Sequence, residues 1–253
     1  MNIDFPTPDL VPALRALWKE AFGDGDAFLD MFFTTAFSPE RSRCITANAR
    51  VTAALYWFDC LFEGGRIAYI YAVATAKDMR GHGLCRALMD DTHRHLSELG
   101  YNGAILVPGD RTLFSLYEKM GYRTSAYIDE IKVDAGETAV GLCEISKEEY
   151  ALLRRQILPG TGVIQEGVAL DFLEKQAVFY KGGGLILAAR KEGNTLFAAE
   201  YLGQRADMAS VVRSLGCESG KFRTPGKGSP FAMYRHFGND LSPTPTYFAF
   251  AFD

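Results

Sequence analysis

Hydrophobic residues recur at helical spacing in the first part of the chain. In DLVPALRALWKEAF, Leu14, Leu17 and Trp18 fall three or four positions apart, and GDGD then ends the pattern. AFLDMFFTTAF has the same period. A third amphipathic segment begins after Gly83 and stops at Gly100, a residue type that commonly ends helices. These patterns predict three helices before residue 100.

Between these segments the pattern changes to one typical of strands. RCITANARVTAALYWFDCLFEGGRIAYIYAVATA is rich in aromatic and β-branched residues, and Glu63-Gly64-Gly65 predicts a hairpin turn within it. A strand, GAILVPG, and a short helix, RTLFSLYEKM, follow the third helix, and Gly121 ends that short helix. YRTSAYIDEIKV predicts a strand pair that completes a first domain over residues 1–134.

The second half repeats this order of elements without repeating residues. Residues 135–146 lose both periods and are interpreted as a linker to a second domain, residues 147–253. SKEEYALLRRQI and ALDFLEKQAVFY are predicted helices, GLILAARKEGNTLFAAEYLG a hairpin and DMASVVRSLG a helix. KFRTPG, PFAMYRHF and TPTYFAFAFD are predicted closing strands. The fold class is therefore α/β, with a mixed central sheet flanked by helices in each half, and a faded duplication relates the halves.

Composition and charge narrow the function classes. The 253 residues include 48% hydrophobic and 23% charged residues, as in globular enzymes, and the net charge of −4 disfavours nucleic acid as a partner. Five scattered cysteines without CxxC spacing fit a reducing cytoplasm and predict neither disulfides nor a metal site. Without a long apolar run, no membrane association is predicted.

The segment AVATAKDMRGHGLCRALMDD carries the clearest chemistry. A strand, a helix starting near Gly83 and the strand GAILV predict a βαβ unit with parallel strands. The first amides of that helix have no partner within the helix and carry the positive end of its dipole. Gly81 and Gly83 allow close backbone approach, and Arg80 adds positive charge. The pattern indicates a phosphate-bearing ligand, although an RGHG turn alone also fits a plain connecting loop.

Two other phosphate-binding motifs do not fit this segment. A dinucleotide fingerprint needs a third glycine where Arg86 stands, and a P-loop needs Gly-Lys-Ser/Thr, which GHGLCR lacks. KGGGLIL precedes a strand instead of a helix and is interpreted as a turn.

At these residues the chain resembles the GCN5-related N-acetyltransferase (GNAT) superfamily. The family's Arg/Gln-x-x-Gly-x-Gly/Ala signature corresponds to RGHGLC after the strand VAT, and DRTLFSLYEKMGY corresponds to its short helix and Gly-aromatic element. The resemblance implies an acetyl-CoA site formed by Val73, Ala74, Thr75, Arg80, Gly81, His82, Gly83, Leu84, Cys85 and Arg86.

The chain is most similar to the Eis-like two-domain bacterial branch, in which a degenerate second GNAT domain follows the catalytic one. The resemblance implies that the Val73 amide faces the thioester carbonyl and that Tyr117 is the acid for the departing thiolate; alternatively, Tyr117 is a core aromatic residue. Asp110 stands where many members carry Asn. Tyr69 stands where histone-type members carry a general-base Glu, so no base is named.

The expected activity is acetyl transfer from acetyl-CoA directly to a primary amine on a small molecule, peptide or protein lysine, without a metal. The alternative is a non-catalytic acyl-CoA-binding sensor or regulatory module, which the missing Glu leaves open. The amine acceptor is the expected partner, the location is cytoplasmic, and a homo-oligomer is left open. His82 is interpreted as a loop residue, and His93 and His95 point to different sides of one helix, which argues against a metal pair.

Overall fold

A computed structural model of the chain describes residues 2–47, 50–238 and 243–252. The chain forms two compact units, each made of two separate segments. The first unit combines Met1–Arg123 with Met233–Ser242, and the second combines Thr124–Ala232 with Pro243–Asp253. The units thus differ in extent from the domains that the sequence predicts, 1–134 and 147–253, whose outer ends, Met1 and Asp253, lie outside the described residues.

The α-helices among the described residues are α1 (Val11–Phe22), α2 (Asp26–Thr35), α3 (Leu84–Glu98), α4 (Arg111–Glu118), α5 (Lys147–Ile157), α6 (Val168–Glu174) and α7 (Met208–Ser214). The strands are β1 (Asn2–Asp4), β2 (Ser42–Ala47), β3 (Arg50–Phe62), β4 (Gly65–Thr75), β5 (Gly103–Leu106), β6 (Arg123–Asp134), β7 (Cys143–Ile145), β8 (Ile164–Gln165), β9 (Val178–Gly182), β10 (Leu185–Glu192), β11 (Thr195–Leu202), β12 (Ser219–Pro225) and β13 (Ser229–His236).

The first unit contains the predicted βαβ arrangement. Strands β1 to β4 form successive antiparallel pairs, and β4 pairs in parallel with β5, Ile67–Ile70 against Gly103–Leu106. Met233–His236 of β13 adds an antiparallel strand on the other side of β5. The apolar face of α3 packs on this sheet through residues such as Leu88 and Met89, both fully buried. The packing fixes where α3 begins relative to the end of β4.

The second unit is built around a second βαβ arrangement. Its strands follow the order β6-β12-β11-β10-β9-β7. Thr195–Ala198 of β11 pair in parallel with Ser219–Phe222 of β12, and all other neighbours in this series are antiparallel. Helix α7 lies between β11 and β12 in sequence and packs on the same core.

Four predicted elements differ from the structure, three of them before residue 200. YRTSAYIDEIKV is one continuous strand, β6, whose register with β12 runs unbroken from Ile128 to Asp134. ALDFLEKQAVFY is helical only to Glu174; its β-branched and aromatic end forms β9, which pairs with β10. The interval 135–146 includes β7, which pairs with β9.

The closing run TPTYFAFAFD does not form the predicted strand over its described residues. Tyr247 makes an isolated bridge with Gly162, and Phe248–Phe252 are buried without a strand ladder. The Gln165 side chain takes the place of a strand partner: its Nε2 donates to the Phe250 carbonyl at 2.9 Å and its Oε1 accepts from the Phe250 amide at 3.0 Å. A side-chain amide thus satisfies the backbone that a neighbouring strand would satisfy.

Within the part of the chain that the structure describes, no helix has the length and apolarity needed to cross a membrane. The five cysteines are all free.

Candidate functional site

Strand β4 changes conformation where it loses β5 as a neighbour. The parallel pairing ends at Ile70, and β4 continues to Thr75. On its other side the register with β3 shifts between Tyr71 and Ala74, and Ala72 has φ 49°, a value rare outside glycine. A β-bulge with a left-handed residue re-aims the backbone that follows it. The end of β4 is therefore a distorted strand that lies apart from β5.

The turn after β4 is shaped by two glycines. A 3-10 turn, Lys77–Met79, leads to Arg80, and Gly81 and Gly83 have φ values of 79° and 78°. Both glycines are exposed, and a Cβ built on either would meet nothing within 4 Å. The glycines are thus needed for their conformation, and the space above them is open to a ligand.

Helix α3 starts directly at this turn. Gly83 is its N-cap residue and provides no side-chain cap, and the first turn of α3 has no acidic side chain. The first amides of a 15-residue helix therefore meet the open space above the glycines without a competing carboxylate. A phosphate group fits this arrangement.

Two arginines brace the turn. Arg80 Nε donates to the Thr75 carbonyl at 3.2 Å, which holds the guanidinium near the end of β4, and the Arg80 carbonyl lies 3.1 Å from His82 Nδ1. Arg86 donates to the Lys119 carbonyl at 2.7 Å. Because Lys119 is the C-cap residue of α4, Arg86 joins the first turn of α3 to the end of α4.

Helix α4 holds Tyr117 in a buried position. Asp110 caps its N-terminus by accepting from the amides of Thr112 and Leu113 at 2.7 and 3.3 Å, and the pKa of Asp110 is lowered, chiefly by the Thr112 hydroxyl. Tyr117 is 7% exposed, and burial raises its pKa above the ordinary value of a tyrosine. The phenol is therefore protonated at neutral pH and can donate a hydrogen bond.

The structure brings part of the predicted site into one cluster. Tyr117 and Leu84 belong to the core between the sheet and α3, and Val73 and Cys85 pack against that core. Ala74 belongs instead to a second core cluster that includes residues of α1, as expected from the alternation of side chains along a strand. Burial raises the pKa of the Cys85 thiol, so it is protonated at neutral pH.

The remaining predicted site residues are more exposed than this cluster. Thr75 is half-buried, and Arg80, Gly81, His82, Gly83 and Arg86 are exposed.

The sequence interpretation did not find the bulge at Ala72 or the capping role of Asp110. Alanine gives no signal for a left-handed residue, whereas an Asp before a helical run is a recognisable N-cap.

His93 is a structural residue of the first unit. It is 4% exposed, and Arg235 donates to its Nδ1 at 2.9 Å. Nε2 therefore carries the proton and donates to the Tyr122 hydroxyl at 2.7 Å. Burial, followed by the Arg235 charge, lowers the pKa of His93 to about 3. Among the described residues, no group of three His, Cys, Asp or Glu side chains is placed to hold a metal ion.

Residues 2–125 match the family model described as the acetyltransferase (GNAT) domain. No curated protein matches the sequence.

Three solved structures have a similar fold. A GCN5-related N-acetyltransferase from Anabaena variabilis is 14% identical with a TM-score of 0.76, covering 94% of this chain and 73% of its own. Eis1 from Mycobacterium abscessus is 10% identical with a TM-score of 0.70, covering 94% and 74%. A tandem GNAT protein from the clavulanic acid biosynthesis pathway is 10% identical with a TM-score of 0.59, covering 94% and 99%.

These structures are too distant in sequence to show more than the fold, and the family match supplies the activity class, acyl transfer from an acyl-CoA. Residues 2–125 therefore form a GNAT acetyltransferase domain, and the chain as a whole has the fold of the tandem, Eis-like GNAT proteins.

Proposed function

We propose that the first unit transfers the acetyl group of acetyl-CoA directly to a primary amine of a small molecule, a peptide or a protein lysine. The observation that carries the proposal is the turn between β4 and α3. Gly81 and Gly83 adopt left-handed conformations beneath open space, and the N-terminus of α3 and Arg80 surround that space. This is a site for the pyrophosphate of a CoA ester.

Different residues of the site bind different parts of acetyl-CoA. Arg80 to Arg86 hold the pyrophosphate through the helix amides and positive charge, and Val73 to Thr75 lie along the end of β4 that has no β5 partner. An extended pantetheine arm fits such a strand end because it can bond to backbone groups. Acetyl-CoA supplies an activated acetyl group and a thiol leaving group.

Two groups of the chain assist the transfer. The Val73 amide, which comes directly after the bulge at Ala72, donates to the carbonyl oxygen as negative charge develops there. Tyr117 keeps its proton because burial raises its pKa, and it donates to the leaving sulfur. No carboxylate stands at Tyr69, which is buried, so the amine loses its proton by another route, such as water.

Thermal melting with acetyl-CoA tests the binding step. At about 100 times its Kd, acetyl-CoA should stabilise the protein by roughly 2.7 kcal/mol. Gly83→Val should remove this gain, because valine disfavours a φ of 78° and its side chain occupies the ligand's space. Gly216→Val is the matched control: Gly216 also has positive φ, 68°, with open space at its Cβ, but lies after α7 in the second unit. An undiminished shift in Gly83→Val would contradict the assignment.

Release of CoA with a panel of amines tests the transfer step. A primary amine that accelerates CoA release and gains an acetyl group, seen by mass spectrometry, supports the enzyme. Acetyl-CoA binding without transfer to any amine of the panel would favour a non-catalytic acyl-CoA sensor instead.

A further inference from the structure

The second unit contains a cavity of about 580 Å³ that the acyl-transfer site does not use. It lies where β12 ends, and β6 contributes Ser125 and Tyr127 to its wall. Pro159 follows α5, and Tyr247 belongs to the buried closing segment. All the lining residues that the structure describes belong to the second unit. The volume falls within the range of small-molecule sites, about 300–1,000 Å³.

The floor of this cavity is held rigidly by Asp129. The Asp129 carboxylate accepts from the amides of Lys227 and Gly228 at 3.2 and 2.7 Å and pairs with Arg205. A Cβ on Gly226 would lie 2.2 Å from Asp129 Cγ, so only glycine fits there. The turn after β12 is therefore fixed in place before any ligand arrives.

Another lining residue, Tyr247, is equally well held. Tyr247 is 2% exposed, and its hydroxyl donates to Glu200 at 3.0 Å. Its carbonyl accepts from the Val163 amide at 2.9 Å. The cavity is preformed, which lowers the entropy cost of binding a ligand.

The chemistry of the lining is mostly apolar. Tyr127, Pro159 and Pro225 provide apolar side-chain surface. Ser125 and Tyr247 add little that a ligand could touch, because the Ser125 hydroxyl is buried and Tyr247 is 2% exposed.

Lys227 gives the cavity its charge. Its amide bonds to Asp129, but within the described part of the chain its exposed ammonium forms no ion pair. None of the lining residues that the structure describes is acidic. The described lining therefore combines a free cation with apolar walls.

We propose that this cavity binds a small monocarboxylate with a flat, aromatic body. The carboxylate accepts from Lys227, and the ring lies against Tyr127 and the two prolines. A single cation in an apolar cavity suits one carboxylate better than a phosphate ester, which needs several donors. An ammonium ligand is repelled by Lys227.

Calorimetric titration of the full chain with phenylacetate tests the site. Phenylacetate should bind saturably at one site, and 2-phenylethanol and phenethylamine, which share its ring, should bind at least tenfold more weakly. Lys227→Met keeps the length and apolar stem of the side chain and should weaken phenylacetate binding at least tenfold. Lys175→Met, an exposed lysine outside the cavity, is the control and should leave binding unchanged.

A further variant makes the test specific. Gly83→Val should leave phenylacetate binding intact, which separates this site from the acyl-CoA site. No saturable binding of phenylacetate, equal binding of phenethylamine, or full affinity in Lys227→Met would each overturn the proposal.

Discussion

The βαβ arrangements of the two units have the same order of elements. They differ at the end of the first strand and in the turn that leads to the helix. In each, four residue pairs join the parallel strands, Ile67–Ile70 with Gly103–Leu106 and Thr195–Ala198 with Ser219–Phe222. In each, the first strand has a register shift directly after these pairs, and a 3-10 turn precedes the helix. This common order supports a duplication of one ancestral unit.

The two units differ just beyond the last parallel pair. Two residues after Ile70 stands Ala72, a small residue in a left-handed conformation. Two residues after Ala198 stands Glu200, fully buried and bonded to Arg154 at 2.7 Å. The first unit has a small residue at this position, whereas the second has a buried carboxylate that pairs with Arg154.

The turns that precede α3 and α7 also differ. Arg80–Gly83 separate the 3-10 turn of the first unit from α3, whereas in the second unit the 3-10 turn Arg205–Asp207 runs directly into the seven-residue α7. Without left-handed glycines before the helix, the backbone cannot open a space for phosphate over its first amides. The second unit thus shares the strand–helix–strand packing but has neither the four-residue turn nor the small residue of the first, and we expect it to bind no acyl-CoA.

The largest expected effect is on the stability of the second unit, where Arg154 and Glu200 form a buried ion pair. Arg154→Met leaves Glu200 buried among the Tyr150 and Tyr247 hydroxyls without its cation. The free energy of unfolding, measured in urea, should fall by about 3–5 kcal/mol. Arg155→Met, which breaks an exposed pair with Glu166, should cost less than about 1 kcal/mol. Equal losses in the two variants would show that the buried pair does not hold the second unit closed.

The next largest expected effect is on catalysis by the first unit. Tyr117→Phe should lower kcat by about 100-fold with little change in acetyl-CoA affinity, because the lost hydroxyl donates mainly in the transition state. Tyr122→Phe is the control, since that hydroxyl bonds to His93 and should affect stability alone. A kcat for Tyr117→Phe within a factor of two of wild type, with chemistry rate-limiting, would assign Tyr117 to the core only.

A smaller effect is a pH dependence that belongs to the first unit. The pKa of His93 is about 3 when folded, below the ordinary value of 6.5, so the unfolded chain binds more protons below pH 6.5. Stability should therefore fall as the pH is lowered, by about 1.6 kcal/mol from this residue between pH 6.5 and 5. His93→Gln should reduce that slope in urea unfolding curves. An unchanged slope would mean that His93 binds its proton in the folded state as well.

The smallest expected effect on stability concerns the residue after the Pro-Gly that follows β5 in the first unit and β12 in the second. Asp110 follows β5 in VPGD and caps α4, whereas Lys227 follows β12 in TPGK and no helix begins there. Asp110→Ala should destabilise the protein by about 1 kcal/mol in thermal melting. Asp9→Ala removes an exposed aspartate that caps nothing and should be neutral. No difference between the two would show that the cap is dispensable.

Local sequence was sufficient to predict the βαβ order of both halves. RGHG, the helical period after it and the Gly-ended short helix are short-range signals, and the structure has α3, β5 and α4 there. The bulge at Ala72 had no signal because it depends on the loss of β5 as a neighbour. Arg154 and Glu200 pair across 46 positions, a distance at which a single sequence gives no indication of contact.

The two-segment composition of the first unit also bears on how the chain is made. Strand β5 ends at Leu106, but its antiparallel partner in β13 begins pairing only at Met233. At about 5–20 residues per second, a ribosome needs on the order of 10 s to synthesise the intervening chain. During that time one edge of β5 lacks its final partner, so a fragment ending near residue 134 would present an open strand edge prone to aggregation.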